Sequence, residues 1–181
     1  GIAFEGVMAK SANNRMFKHI RTKLNEANAE LGSERGSPSD CAGTGKRFAH
    51  VMAVAPNASS SILMGNTSPS IEPYRANAYR QDTLSGSSLN KNRWLDKIIR
   101  EKVKDDADYQ DVWSSIIAND GSVQHLDILD EHQKEVFKTS MEIDQRWVIE
   151  HAADRQEFID QAQSLNLFFR PDVHIKYLHA C

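Results

Sequence analysis

Three consecutive serines, Ser59, Ser60 and Ser61, follow a Pro56-Asn57-Ala58 turn at the end of an apolar run that closes on Ala53-Val54-Ala55. The run has the character of a short buried strand, and the serines open a short helix. A strand that turns straight into a helix leaves the helix's first N–H groups without intrahelical partners, aimed at the strand's C-terminal end. The helix dipole adds partial positive charge there, and the serine hydroxyls add further donors. Phosphate is the usual anion for such a site. The plainer reading is local, because serines at helix starts are common N-caps.

Other residues invite chemistry and support it less well. Gly43-Thr44-Gly45-Lys46-Arg47 has part of a P-loop, but Asp40 stands where the first glycine belongs and Arg47 replaces the Ser or Thr that would hold magnesium. A mobile loop is the better reading, with Lys46 and Arg47 facing a phosphate only from the periphery. His174 and His179 lie on different helical faces, and only Cys181 stands near them at metal-ligand spacing, so both read as surface histidines. Glu72, between Ile71 and Pro73, reads as a buried acid that packs the loop beneath the anion site. Trp94, Trp113 and Trp147 fall on helical faces and read as core.

The elements that must position these residues follow from periodicity. Met16, Phe17, Ile20, Leu24, Ala27 and Leu31 predict an amphipathic helix from Ser11 to Gly32, capped by Ser11 or Asn13 and ended by Gly32. Residues 33–46 are small and polar and predict an exposed loop. His50–Ala55 is the strand before the serines. Leu95, Ile98, Ile99 and Val103 share one helical face, and Tyr109, Val112, Trp113, Ile116 and Ile117 another. Asp130 with Gln133 makes a capping box that opens a helix through Trp147 and Val148. Ser164–Phe169 reads as a strand, and Pro171 as the start of a final helix. Strands separated by helices predict an α/β fold with parallel strands. There is no internal repeat and no linker, so residues 1–181 read as one partial domain.

Composition excludes several classes. The chain has 181 residues, 26% of them charged, a net charge of −3 and a mean hydropathy of −0.56. That is a soluble protein with no electrostatic footprint for nucleic acid or a membrane surface. No apolar run approaches the roughly 20 residues of a spanning helix, and no signal peptide opens the chain. Two cysteines, Cys41 and Cys181, make no disulfide framework, so a cytoplasmic setting is expected. Asn57-Ala58-Ser59 and Asn66-Thr67-Ser68 match the glycosylation pattern but carry no meaning without secretion. The chain lacks an initiating Met and stops inside an unfinished helix, and we expect it to be an internal piece of a longer protein.

The stretch from Ala55 to Gly86, APNASSSILMGNTSPSIEPYRANAYRQDTLSG, resembles the large, catalytic subunit of class I ribonucleotide reductases. Downstream, Ala153-Asp154-Arg155-Gln156-Glu157-Phe158-Ile159-Asp160-Gln161 continues to Asn166 and is similar to that family's segment of the type AAxRxxFIDQxQSLN. Between them, Ile117 to Gln124 resembles its NGSxQ segment. The three stand in the family's order, and the match runs from about Phe48 to the C-terminus, more loosely back to Gly1.

The resemblance implies a helix-rich part, the second half, of a ten-stranded α/β barrel, incomplete as an isolated chain. It makes Ala76–Leu84 a second strand, where residue propensity alone is indifferent. It implies that Asn57, Ala58, Ser59, Ser60 and Ser61 bind the substrate's diphosphate. Pro56 would set the turn and donate nothing, and Ala58 would offer its N–H and room for the anion. Asn57 would donate through an amide where relatives carry a hydroxyl. No residue here matches the family's radical or reducing cysteines, so no catalytic residue, metal ligand or bound cofactor is expected in this segment. The family's radical comes from a metal-containing small subunit. Implied partners are a ribonucleoside diphosphate, the rest of the large subunit, that small subunit and a second copy of the full subunit. Two alternatives stay open: a stand-alone phosphate- or nucleotide-binding module, and a structural half of a split subunit.

Overall fold

In the computed structural model, which describes residues 1–65, 67–83 and 86–181, helices dominate. Helix α1 spans Val7–Arg35. It is bounded by Gly6 at φ 104° and Gly36 at φ 73°, values that favour glycine. It is longer than the periodicity predicted, because Gly32 does not end it. A Cβ at Gly32 would lie 2.1 Å from the Gly45 carbonyl oxygen, so this glycine serves a close approach of the following loop. That loop holds a single 3₁₀ turn at Ser39–Cys41, which buries Cys41.

After the loop, α2 spans Ala58–Leu63. A hairpin of β1 (Ala78–Thr83) and β2 (Gly86–Lys91) follows. Helices α3 (Arg93–Lys102) and α4 (Asp106–Ala118) are each N-capped by a side chain, Asn92 and Asp105. Helix α5 (Glu131–Val136) carries the expected Asp130–Gln133 capping box. Helices α6 (Gln145–Gln156) and α7 (Ile175–Ala180) complete the chain. No helix among the described residues is long and apolar enough to cross a membrane.

Several expectations are corrected. The helix opened by Asp130 stops at Phe137 and does not reach Trp147. Glu142 Oε2 accepts from both the N–H and the hydroxyl of Thr139, a local alternative to helical bonding, and Asp144 then caps a separate helix. The final helix starts not at Pro171 but after His174, whose Nδ1 accepts from Lys176 N–H. The only sheet among the described residues is the β1–β2 hairpin, and it is antiparallel. Leu84, the last residue of the expected second strand, lies outside the described residues. His50–Ala55 and Ser164–Phe169 form no regular strands, and the one bridge beside them is parallel, between Val54 and Gln163 just before the second segment. Beyond it, side chains take the backbone donors: Asn166 N–H goes to Glu72 and Phe168 N–H to Gln145 Oε1.

The core gathers Leu95 and Ile99 of α3 with Tyr109, Trp113 and Ile116 of α4. Ala78 of the hairpin and Val123, Leu126, Leu129 and Phe137 close around them. Trp113 is buried as expected, but Trp94 is 60% exposed and Trp147 only half-buried. Against α6, α1 lays a polar face: Asn13 donates to the His151 carbonyl, Lys10 pairs with Glu150, and Arg155 stacks on Phe17. The apolar stripe predicted to be its packing face is left largely open at Met16 and Ile20.

Candidate anion-binding loop

Asn57 stands at the N-cap of α2 but does not cap it. Its Nδ2 donates back to the Ala55 carbonyl at 2.8 Å, and its own N–H donates to the Pro69 carbonyl at 2.9 Å. The first helical bond runs from Ser61 N–H to the Asn57 carbonyl at 2.8 Å. The N–H groups of Ala58, Ser59 and Ser60 precede it, and no partner for them is found among the described residues. Ser59 and Ser60 are exposed. Ser61 is buried, and its hydroxyl donates to the Ala58 carbonyl at 2.7 Å. The plain N-cap reading of the serines therefore has no hydrogen bond behind it. What remains is a row of unspent backbone and hydroxyl donors on a helix end with partial positive charge.

The loop hangs on the segment after α6. Val51 and Met52 N–H both donate to Asp160 Oδ2, at 2.8 and 3.2 Å. Ser164 N–H donates to the Val54 carbonyl at 2.8 Å, and Val54 N–H to the Ala162 carbonyl at 3.4 Å. On the far side of the loop, Asn166 N–H donates to Glu72 Oε1 at 2.5 Å. Positions 160, 163 and 166 thus hold the loop before and after α2. Burial pushes the Asp160 carboxyl up, but the Val51 N–H, Arg21 and the Met52 N–H outweigh it and hold it below the usual carboxylate range. Arg21 Nη1 lies 2.6 Å from Asp160 Oδ1 as an ion pair.

Behind this frame sits Arg155, only 2% exposed. Its Nε donates to Gln163 Oε1 at 2.5 Å, and Gln163 Nε2 donates to the Ala152 carbonyl at 2.8 Å. Burial lowers the guanidinium to about 10, against an opposing pull from Glu72, so it stays charged at neutral pH. Glu72 is buried, as the sequence suggested. Arg155 Nη2 and Glu72 Oε2 have no partner among the described residues. Asp160, Gln163 and Arg155 lie within the segment that resembles the family, but the sequence reading gave them no role at the loop. Only the fold separates them from neighbours as polar as Gln156, Glu157 and Gln161.

The remaining candidates fall elsewhere. Arg47 Nη1 donates to the Gly36 carbonyl at 3.3 Å, and Asn28 Oδ1 accepts from Arg47 and Phe48 N–H. His174 and His179 are exposed. Cys41 and Cys181 are free thiols. No group of three His, Cys, Asp or Glu side chains converges on a metal position among the described residues. A cavity of about 860 Å³ lies between Glu72, Trp94, His132 and Lys138, and residues 57–61 do not line it.

Comparison with known proteins shows the family. The family model of the ribonucleotide reductase barrel domain matches residues 38–181. The ribonucleoside-diphosphate reductase large subunit of Invertebrate iridescent virus 6 is 56% identical over 99% of this chain and 19% of its own length. The large subunit of Invertebrate iridescent virus 3 is 51% identical over 98% of this chain and 28% of its length. The solved class Id ribonucleotide reductase alpha subunit of Actinobacillus ureae superposes with a TM-score of 0.87 at 41% identity, covering 99% of this chain and 32% of that one. The chain thus spans between about a fifth and a third of the length of these relatives.

Proposed function

The chain belongs to the ribonucleotide reductase barrel-domain family, and from that premise we propose that it is a segment of a ribonucleoside-diphosphate reductase large subunit in which residues 57–61 hold the substrate's diphosphate. The parent reaction reduces ribonucleotides to deoxyribonucleotides by thiyl-radical chemistry. The observation that carries the reading is the uncapped start of α2, where the N–H groups of Ala58, Ser59 and Ser60 have no partner among the described residues. Phosphate oxygens would take those N–H groups and the Ser59 and Ser60 hydroxyls. Asn57 and Ser61 complete the site by holding the turn, through the Ala55 carbonyl and the Ala58 carbonyl.

The segment binds and orients, and the reducing chemistry falls to the remainder of the subunit. We place this chain in the second half of a ten-stranded α/β barrel, in the cytoplasm, with a metal-containing small subunit supplying the radical and the full subunit forming a homodimer. The exposed apolar residues favour assembly with that remainder over a stand-alone module. Val7, Met8, Met16, Ile20, Leu63 and Met64 are all uncovered in this chain.

Kinetics of the full-length large subunit test the reading. Hydrogen bonds to a charged group contribute about 1.5–3 kcal/mol each. Ser59→Ala or Ser60→Ala is therefore expected to raise KM for a ribonucleoside diphosphate about tenfold. Unchanged KM in both variants overturns the assignment of residues 57–61.

A further inference from the structure

The loop's own helix is six residues long and lacks a side-chain cap, and the bonds of Asn57 and Ser61 hold only the turn itself, not the angle at which it is delivered. Direction must come from the flanks. On the incoming side, consecutive N–H groups of Val51 and Met52 converge on one oxygen of Asp160, shortly before the turn at Asn57. A carboxylate that accepts two adjacent backbone N–H groups fixes the peptide plane between them. Its other oxygen is held by Arg21 of α1, so the carboxylate is itself fixed from a second element. Only after this clamp does the chain make the Val54–Gln163 bridge and enter the loop.

We propose that Asp160 is a positioning residue for substrate: by clamping Val51 and Met52 it sets the angle at which the chain delivers the Ala58–Ser60 donors to the phosphates. The inference rests on the reading of residues 57–61 as the diphosphate site. Asp160 touches no substrate and acts only through the backbone it holds. Arg21 supports the carboxylate but makes no contact with the Val51 and Met52 N–H groups, so the two residues are separable by experiment.

The test is made in the full-length large subunit with Asp160→Ala, Asp160→Asn and Arg21→Met. Asp160→Ala is expected to raise KM for the ribonucleoside diphosphate fivefold or more while kcat stays within twofold, because binding is lost in ground and transition states alike. Asp160→Asn keeps an acceptor oxygen and should recover most of that loss. Arg21→Met leaves both N–H bonds of the clamp in place and loosens only its support, so it should raise KM less than Asp160→Ala does. Hydrogen exchange of the Asn57 and Ser61 amides, which are bonded, should quicken in Asp160→Ala without substrate present.

KM within twofold of the parent in Asp160→Ala, where Ser59→Ala raises it, overturns this proposal alone. So does an Arg21→Met variant that raises KM as much as Asp160→Ala, since the effect would then be one of general stability. If Asp160→Ala does not fold, Asp160→Ser takes its place, and a KM within twofold of the parent in that variant overturns the proposal equally. Failure of Ser59→Ala and Ser60→Ala to change KM overturns the diphosphate reading itself.

Discussion

Tyr177 and Asp144 tie α7 to α6 through one shared proton donor. The Tyr177 hydroxyl donates to Asp144 Oδ1 at 2.7 Å and accepts from Gln145 N–H at 2.7 Å. Arg146, and then Tyr177, hold the Asp144 carboxyl at about 2 against the opposing effect of burial. Burial, followed by Asp144, pushes the Tyr177 hydroxyl up to about 12. A lowered carboxylate stabilises the fold above its ordinary value near 4, and that stability fades as pH falls towards 2. A raised tyrosine stabilises below its ordinary value near 10 and fades as pH rises through about 12. The urea midpoint of the parent minus that of Tyr177→Phe should therefore be flat between about pH 4 and 10 and shrink on both sides. A difference that does not change with pH would rule out this lock. Periodicity and turn signals give no warning of it, because Pro171 marks a turn but not the partner across it.

Among the elements, two short motifs far apart in the chain meet on one side chain. Asn77, 2% exposed, donates from Nδ2 to the Gly121 carbonyl at 3.0 Å and the Phe137 carbonyl at 2.8 Å. Its Oδ1 accepts from Asn92, the cap of α3. Gly121 has φ 80°, and a Cβ on it would sit 2.3 Å from the Ala76 Cβ, so the chain entering the hairpin lies directly against the turn after α4. Asn77→Ala leaves two buried carbonyls with fewer donors, and should cost about 2–3 kcal/mol in urea unfolding of the subunit. A loss below about 0.5 kcal/mol would show that Asn77 is not the hub.

The helices of this region were legible because local rules agree with the fold. Leu95, Ile99, Tyr109, Trp113 and Ile116 of the two stripes lie in the core, though Ile117 is 47% exposed, and the Asp130–Gln133 box caps a helix, though a shorter one than read. The strands were not. Between Val51 and Val54 and again between Ser164 and Phe168, side chains of Asp160, Glu72 and Gln145 take donors that a neighbouring strand would otherwise take. Periodicity cannot anticipate that. Gly32 misled for a related reason, since a glycine kept for close approach looks the same in sequence as one that ends a helix.

Taken whole, the chain is a frame for one loop with surface left to cover. Helix α1 faces α6 through polar contacts and Arg21 reaches Asp160, while its apolar residues Val7, Met8, Met16 and Ile20 point away from this chain's core. Such a division suits a segment packed on one side by its own helices and on the other by the remainder of a larger subunit. The turn into α2 was legible from Pro56 and the three serines, whereas its contacts with Asp160 and Gln163 were not, because those residues lie about a hundred positions downstream. Everything turns on where the phosphates sit. The most direct measurement is a structure of the full-length large subunit with a ribonucleoside diphosphate bound. Phosphate oxygens are expected within hydrogen-bonding distance, about 2.7–3.2 Å, of the Ala58, Ser59 and Ser60 N–H groups. A diphosphate seated elsewhere, with those three donors facing water, would contradict the assignment.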